Sequence, residues 1–211
     1  MELVREKICA GLYEQSKSSY NSTVVCVAYP NGKVRIVHDL QDLNKVKIKD
    51  AGLPPNFNVF FGSFSGRECY GLGDIMKRYD DRELDITTRP LPTFGTLLVS
   101  LQPTILPQGT ANSVAVYKAQ MTWILQEEMP EHLGIFIDDG GIKGPISTYN
   151  HKKLNENPLI RRFILEYAVT LERILFRIED AGLTASGSKF ACCVPELDIV
   201  GHVVALGGRK I

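Results

Sequence analysis

The sequence lacks an excess of charge of either sign, a long apolar run and a cysteine framework. Its 211 residues include 24 lysines and arginines against 24 aspartates and glutamates. This balance excludes a histone-like surface, so any contact with nucleic acid must be a local patch. No apolar run approaches the roughly 20 residues that span a bilayer, and the charged start lacks the apolar core of a signal peptide. Five cysteines without a CxxC pair are typical of reduced thiols in an intracellular protein.

Hydrophobic periodicity and turn signals predict an α+β chain, folded as one domain or as two lobes that share a core. Two β-rich segments, 24–29 and 34–37, flank an Asn-Gly turn and predict a hairpin. Apolar residues recur every three or four positions over 158–181, which predicts a long amphipathic helix. Residues 199–205 are β-rich and predict the last strand.

Three aspartates follow strand-like segments. Asp74 ends the β-rich segment 68–74, and Asp138 and Asp139 end a short apolar segment that begins at Gly134. If the two strands pair, the carboxylates come together, and a divalent cation relieves their repulsion. Mg²⁺ prefers such oxygen ligands together with substrate phosphates, so the pattern indicates phosphoryl or nucleotidyl transfer.

The same acids also fit a plain hairpin turn. Glu127, Glu128 and Glu131 add to the acidic density, and no lysine or arginine lies between 127 and 139. That density favours a metal site slightly, yet it is equally typical of a solvated helix end. The acids alone leave both interpretations open.

Six short motifs occur in order along the chain. They are KVRIVHDLQDLN at 33–44, GDIMKRY at 73–79, LPQGTANS at 106–113, FIDD at 136–139, GLT with KF within 182–190, and VGH at 200–202. Each is a weak signal by itself, but six in order with the expected internal spacing are a strong one.

Together these motifs resemble those of the reverse transcriptases of long-terminal-repeat retroelements and retroviruses, especially the gypsy-type elements of fungi. The resemblance covers nearly the whole chain. It implies a right-hand polymerase fold, with fingers at 1–48 and 82–112 and a palm at 49–81 and 113–211. In the palm, helices back an antiparallel sheet. The thumb and RNase H are expected to be absent from the chain.

The resemblance implies nucleotidyl transfer from a dNTP to a primer 3′-hydroxyl. Asp74, Asp138 and Asp139 are the expected catalytic residues and the ligands of two Mg²⁺ ions, for which Mn²⁺ can substitute. The expected nucleotide-binding residues are Arg35, Ile75, Tyr79, Gln108, Gly109 and Lys189.

Each of these residues also has a structural interpretation. Arg35 is expected to pair with triphosphate oxygens, or else to be a surface strand charge. Tyr79 is expected to exclude a 2′-hydroxyl, or else to be a core tyrosine. Gln108 and Gly109 are expected to approach the nucleotide and the template pair, or else to form a plain turn. Lys189 is expected near the pyrophosphate, or else in solvent.

The implied partners are an RNA or DNA template-primer, a dNTP and the remainder of a retroelement polyprotein with RNase H and integrase. No membrane partner is expected. The implied location is the cytoplasm, within a virus-like particle, or the nucleus.

The chain departs from the family pattern at several positions. Residues 28–30 are Ala-Tyr-Pro where the family has a lysine, Arg78 replaces a small residue, and Phe136 replaces the common tyrosine. Residues 147–157 are an expected insertion. Such changes are typical of a decayed copy, so the alternative is a silent remnant that at most binds nucleic acid. A different metal-dependent phosphohydrolase ranks last, because it leaves the other motifs unexplained.

Overall fold

A computed structural model describes residues 2–29, 32, 34–50, 52, 55–73, 79–80, 82–136, 139–187 and 190–210, with the backbone alone for Lys210. Within these ranges the chain mixes helices with sheets whose paired strands are all antiparallel. The predicted α+β class is therefore confirmed. The chain divides into two compact units, 1–51 with 77–116 and 52–76 with 117–211. The assignment of fingers and palm boundaries stays a prediction.

The described elements follow one another in this order: α1 (Glu2–Cys9), β1 (Tyr13–Gln15), β2 (Thr23–Ala28), β3 (Val34–Asp39), α2 (Gln41–Val46), α3 (Phe57–Gly62), β4 (Tyr70–Gly73), β5 (Phe94–Gly95), β6 (Ser100–Pro103), α4 (Ser113–Leu125), β7 (Leu133–Phe136), β8 (Asp139–Lys143), α5 (Arg162–Asp180), β9 (Ala191–Val194), β10 (Glu196–Ile199), β11 (His202–Ala205) and β12 (Gly208–Lys210). Two 3₁₀ turns, Gln126–Glu128 and Tyr149–His151, follow α4 and precede α5. No helix in the described part of the chain is long and apolar enough to cross a membrane.

The first unit is built from a small sheet and the predicted hairpin. Strands β1, β6 and β5 form the sheet in that order, and β2 pairs with β3 along its whole length. Tyr13, Phe94 and Leu101 form the core, and Val24 and Ile36 of the hairpin pack against them. One face of the hairpin is therefore anchored to the sheet.

The second unit holds a four-stranded sheet in the order β7-β8-β4-β9 and a three-stranded sheet in the order β10-β11-β12. Residues 199–205, predicted as one strand, are two strands joined by a turn in which Val200 and Gly201 have φ of 53° and 75°. That prediction was wrong because β-propensity does not reveal a turn that reverses the chain.

The long helix α5 begins later than its periodicity predicted. It runs over Arg162–Asp180 and buries Phe163, Tyr167 and Ile174 among others. The predicted start fails because the Asn157 side chain accepts the Leu159 amide and holds the preceding residues in a turn. The apolar stripe itself is confirmed as the buried face.

Two glycines on β7 and β8 let aromatic rings pack directly on the sheet. Gly134 and Gly141 are paired partners, and the Phe64 ring lies against both. A Cβ atom on Gly141 would lie 2.6 Å from Phe64 and 2.8 Å from Ile199. The core here has no room for a methyl group.

We predict that Gly141→Ala lowers the free energy of unfolding by about 1–3 kcal/mol, because the new methyl group overpacks the core. Gly140→Ala is the matched control, since its Cβ atom would meet nothing closer than 3.6 Å. Urea unfolding of both variants measures the difference. Equal losses of stability would contradict the packing argument.

His38 lies on β3 beside the core of the first unit. Its Nε2 atom is hydrogen-bonded to the Tyr13 hydroxyl at 2.9 Å, and its ring meets Phe94 edge-on. Burial, and then the nearby charge of Lys7, lower the pKa of His38 from 6.5 to about 4. The imidazole is therefore neutral in the folded chain at neutral pH.

This lowered pKa predicts acid sensitivity. Between pH 6.5 and about 4 the unfolded chain binds more protons at His38 than the folded chain does. The free energy of unfolding therefore falls as the pH is lowered through this window, by about 3 kcal/mol. His38→Gln removes the titration and keeps a polar group for Tyr13, so its unfolding energy should change less from pH 7 to 5. Identical pH slopes by urea titration would exclude His38 as the cause.

Candidate active site

The β7–β8 turn and the end of β4 lie at the same end of the four-stranded sheet. Phe136 pairs with Asp139 across the turn, and Gly73 at the end of β4 pairs with Gly140. Asp139 is half-buried at the first position of β8. Antiparallel neighbours lie about 5 Å apart, so Gly73, the last residue of β4, lies beside the start of β8.

The ends of these strands are the part of the structure that bears on the predicted cluster of three aspartates. Asp74 and Ile75 follow β4 directly and Asp138 precedes Asp139, but all three lie outside the described residues. The atoms of Asp74, Asp138 and Asp139 that could bind a metal are carboxylate oxygens, which are the ligands that Mg²⁺ prefers. In the described part of the chain, no three His, Cys, Asp or Glu residues are grouped as metal ligands. The convergence of the three aspartates therefore stays a prediction.

The glutamates earlier in the acidic segment 127–139 are paired with arginines. Glu128 is almost completely buried, and its carboxylate accepts two hydrogen bonds from the Arg173 guanidinium, at 3.0 and 2.8 Å. Hydrogen bonding to Arg173 lowers the pKa of Glu128. Glu127 pairs with Arg177. These contacts join the 3₁₀ turn after α4 to α5. Glu127 and Glu128 therefore have a structural role.

Arg35 and Gln108, predicted from two separate motifs, are in contact in the first unit. The Arg35 guanidinium donates a hydrogen bond to the Gln108 side-chain oxygen. It also donates to the Tyr29 hydroxyl at 3.3 Å. Two predicted nucleotide-binding residues are thus brought together on one surface.

Asn44 fixes the loop that carries Gln108 and Gly109. Its side-chain amide donates to the Gly109 carbonyl at 2.8 Å, and its side-chain oxygen accepts the Ala111 amide at 2.8 Å. Gly109 has φ of 99°, a conformation that favours glycine. Asn44 belongs to the first motif, but its role could not be predicted from the sequence because its partners lie more than 60 residues away.

A pocket of about 400 Å³ in the first unit lies beside Arg35 and Gln108. Lys7 and Asp80 also line it and form an ion pair at 3.8 Å. Tyr79, the predicted sugar gate, is half-buried next to Asp80. Lys7 and Asp80 were not predicted as lining residues, because neither forms part of a recognisable motif. Lys189 lies outside the described residues.

Known proteins are similar to this chain in sequence and in fold. No protein-family model matches the chain. It is 26% identical over 212 residues to the retrovirus-related Pol polyprotein from transposon 297 of Drosophila melanogaster, covering 98% of this chain and 18% of the relative. The Pol polyprotein from transposon 412 of the same organism is 26% identical over 74% of this chain and 13% of its own length. The Gag-Pro-Pol polyprotein of squirrel monkey retrovirus is 27% identical over 53% of this chain and 6% of its own length.

Solved structures of the foamy viral protease-reverse transcriptase share the fold. The complex with an RNA/DNA hybrid matches 99% of this chain and 26% of that chain, with a TM-score of 0.80 and 18% identity. A complex with double-stranded DNA matches 100% of this chain and 34% of that chain, with a TM-score of 0.81 and 18% identity. The chain therefore has a fold like that of these reverse transcriptases.

These similarities bear out part of the resemblance in the motifs. They show homology to retroviral and transposon Pol polyproteins and a fold that matches the fingers-palm region of a reverse transcriptase. The chain spans less than a fifth of the length of these polyproteins. The activity of the whole polyproteins is therefore a matter of proposal for this chain.

We predict that Asn44→Ala lowers the free energy of unfolding by about 1 kcal/mol, because two hydrogen bonds to the loop are lost. Asn58→Ala is the control, since Asn58 is exposed on α3. Proteolysis of the folded chain should also quicken within 106–112 in Asn44→Ala. Unchanged unfolding and cleavage would show that Asn44 does not hold the loop.

Proposed function

We propose that this chain is the polymerase part of a gypsy-type, fungal-like retroelement reverse transcriptase. It transfers nucleotides from dNTPs to the 3′-hydroxyl of a primer on an RNA template. The observation that carries this proposal is the register of β4, β7 and β8. Gly73 pairs with Gly140, and Phe136 pairs with Asp139. This register supports the proposal that Asp74, Asp138 and Asp139 lie together at one end of the sheet.

The donor set fits divalent cations. Asp74, Asp138 and Asp139 would hold two Mg²⁺ ions, or Mn²⁺ in their place, through carboxylate oxygens. Such ions, when bound, lower the pKa of an attacking hydroxyl and neutralise the charge of a leaving pyrophosphate. Asp139 is the member of this set whose position at the start of β8 is described.

The residues of the first unit would bind and orient the nucleotide. The Arg35 guanidinium has five N–H groups in a planar fork that suits phosphate oxygens, and Gln108 holds it in place. The left-handed backbone at Gly109 would allow close approach of the template pair. Tyr79 would exclude a ribose 2′-hydroxyl. Ile75 and Lys189 are proposed to meet the triphosphate and the pyrophosphate.

The proposed partner is a template-primer duplex of RNA or DNA. The foamy viral structures with the same fold contain an RNA/DNA hybrid or double-stranded DNA, which supports this choice. Residues 1–48 with 82–112 are proposed as fingers, and 49–81 with 113–211 as palm. RNase H and integrase of the same polyprotein are further proposed partners, in a virus-like particle or in the nucleus.

A silent remnant is the alternative, and one contact favours it. Tyr29 lies in the segment where the family has a lysine that reaches the nucleotide, and its hydroxyl contacts Arg35. A tyrosine supplies no positive charge for the developing phosphate charge. Losing one such stabilising contact costs about 10²-fold or more in rate.

The test is extension of a labelled DNA primer on an RNA template with dNTPs and Mg²⁺. We expect Asp139→Asn to lower the rate by at least about 10²-fold, because the charge of one metal ligand is lost. Asp180→Asn at the end of α5 is a control of the same chemistry on an exposed residue. Both variants should bind the duplex as the wild type does.

The outcomes separate the two functions. Extension that is lost in Asp139→Asn and kept in Asp180→Asn supports the polymerase. Duplex binding without extension by the wild-type chain supports the remnant, and Tyr29→Lys should then restore some extension if the lysine is the cause. Extension that survives Asp139→Asn would overturn the proposed site.

A further inference from the structure

The segment 147–162 of the second unit is a surface loop that the proposed polymerase chemistry does not use. It follows β8 and ends at Arg162, the first residue of α5. It contains the expected insertion, residues 147–157. Strand β8 begins at Asp139 and ends at Lys143, so the loop follows the end of the sheet away from the candidate active site. The strand separates the two ends by roughly 13 Å.

Backbone pairing brings four cations of this loop together. Lys153 forms an antiparallel bridge with Arg161, and the Arg162 amide donates to the Lys152 carbonyl at 2.9 Å. Lys153 therefore lies opposite Arg161, and Lys152 lies opposite Arg162. We call these four residues the basic loop.

The basic loop places like charges across from each other, an arrangement that destabilises a strand pair. All four side chains are exposed. Within the described ranges, no carboxylate lies at ion-pair distance from any of them. Glu156 is the single acid among residues 147–162. Glu166, one turn into α5, accepts a hydrogen bond from the Tyr149 hydroxyl at 2.7 Å. The four cations therefore outnumber the two acids nearby, Glu156 and Glu166.

The start of α5 adds to this imbalance. Arg161 is the N-cap residue without a side-chain cap, and the first turn of the helix contains no acid. The N-terminus of a helix carries a partial positive charge, so arginines there oppose the helix dipole. An anion from another molecule would supply the missing countercharge.

We propose that the basic loop binds the phosphodiester backbone of a nucleic acid, as a contact separate from the candidate active site. Successive residues of an extended pair alternate between its two faces, so Lys153 and Arg161 share one face and Lys152 and Arg162 share the other. Each pair can therefore contact phosphates on its own face. The Arg162 guanidinium lies 4.0 Å above the Tyr149 ring and covers it, so no base can stack there. Binding is therefore independent of sequence.

An anionic membrane is the other partner that this surface could bind. Leu159 at the tip of the loop is 91% exposed, and one apolar side chain beside cations also suits such a membrane. A single leucine buries little apolar surface in a bilayer, whereas the exposed cations suit the phosphates of a nucleic acid. The nucleic acid is therefore the favoured partner, and a membrane is an outcome of the test.

The test measures binding of the full chain to a fluorescent RNA duplex without Mg²⁺ or dNTP, over 50–200 mM salt. Lys153→Gln with Arg161→Gln should weaken binding about tenfold at low salt and reduce the slope of log K against log salt by about 2, because two phosphate contacts are lost. Arg5→Gln with Lys17→Gln removes the same number and type of exposed cations outside the loop and should change neither value.

A stability measurement separates binding from damage to the fold. Removing opposed like charges should leave the melting temperature of the Lys153→Gln, Arg161→Gln variant unchanged or higher. Wild-type affinity and salt slope in this variant would overturn the proposal. So would a variant that keeps its RNA affinity but loses binding to phosphatidylserine vesicles.

A different experimental result would contradict the proposed polymerase function. Asp139→Asn should keep the contribution of the basic loop to RNA binding, because the loop follows the opposite end of β8. Loss of primer extension with intact loop binding concerns the active site alone, and loss of loop binding with intact extension concerns the loop alone.

Discussion

The packing of the Phe64 ring on the paired glycines of β7 and β8 is the constraint on which the second unit depends. Phe64 is fully buried, and its carbonyl accepts a hydrogen bond from the Tyr70 hydroxyl at 2.9 Å. Phe64 therefore links β4 to the β7–β8 pair. Because Gly134 and Gly141 have no side chains, the ring packs directly on these two strands. The backbone register of β4 with β8 then places Gly73 opposite Gly140, next to Asp139.

The first unit is held together at its candidate site by polar contacts rather than by a large core. The loop 106–112 has no regular structure, so its backbone groups need partners from elsewhere. Asn44 supplies them at Gly109 and Ala111, and Arg35 contacts the Gln108 side chain. Two motifs that are far apart in sequence therefore form one surface, which is the arrangement a nucleotide-binding site requires.

Although the net charge of the sequence is zero, its acidic and basic residues have different surroundings in the folded chain. The acids at 127, 128 and 131 are all paired with arginines, so they hold helices and strands together. The cations of the basic loop have no such partners among the described residues. Composition alone could not distinguish these two cases, because each depends on which residues fold beside each charge.

The α+β class, the hairpin of β2 and β3, and the buried face of α5 could all be predicted from the amino-acid sequence. These features depend on local periodicity and turn chemistry, which neighbouring residues decide. The ordered motifs also predicted a reverse transcriptase-like fold, because their residue types and spacings are specific in combination. The sequence did not predict the turn at Val200 and Gly201 or the late start of α5, where side-chain hydrogen bonds and backbone conformation override propensity.

Which of the predicted residues come into contact could not be predicted from the sequence and is seen in the folded chain. Arg35 and Gln108 are 73 positions apart, and Glu128 and Arg173 are 45 apart, so no local pattern could pair them. The predicted meeting of Asp74 with Asp138 and Asp139 rests on the register of the strands that precede and follow them. Long-range contacts depend on how whole elements pack, and that packing is decided by buried surfaces such as the glycine pair beneath Phe64.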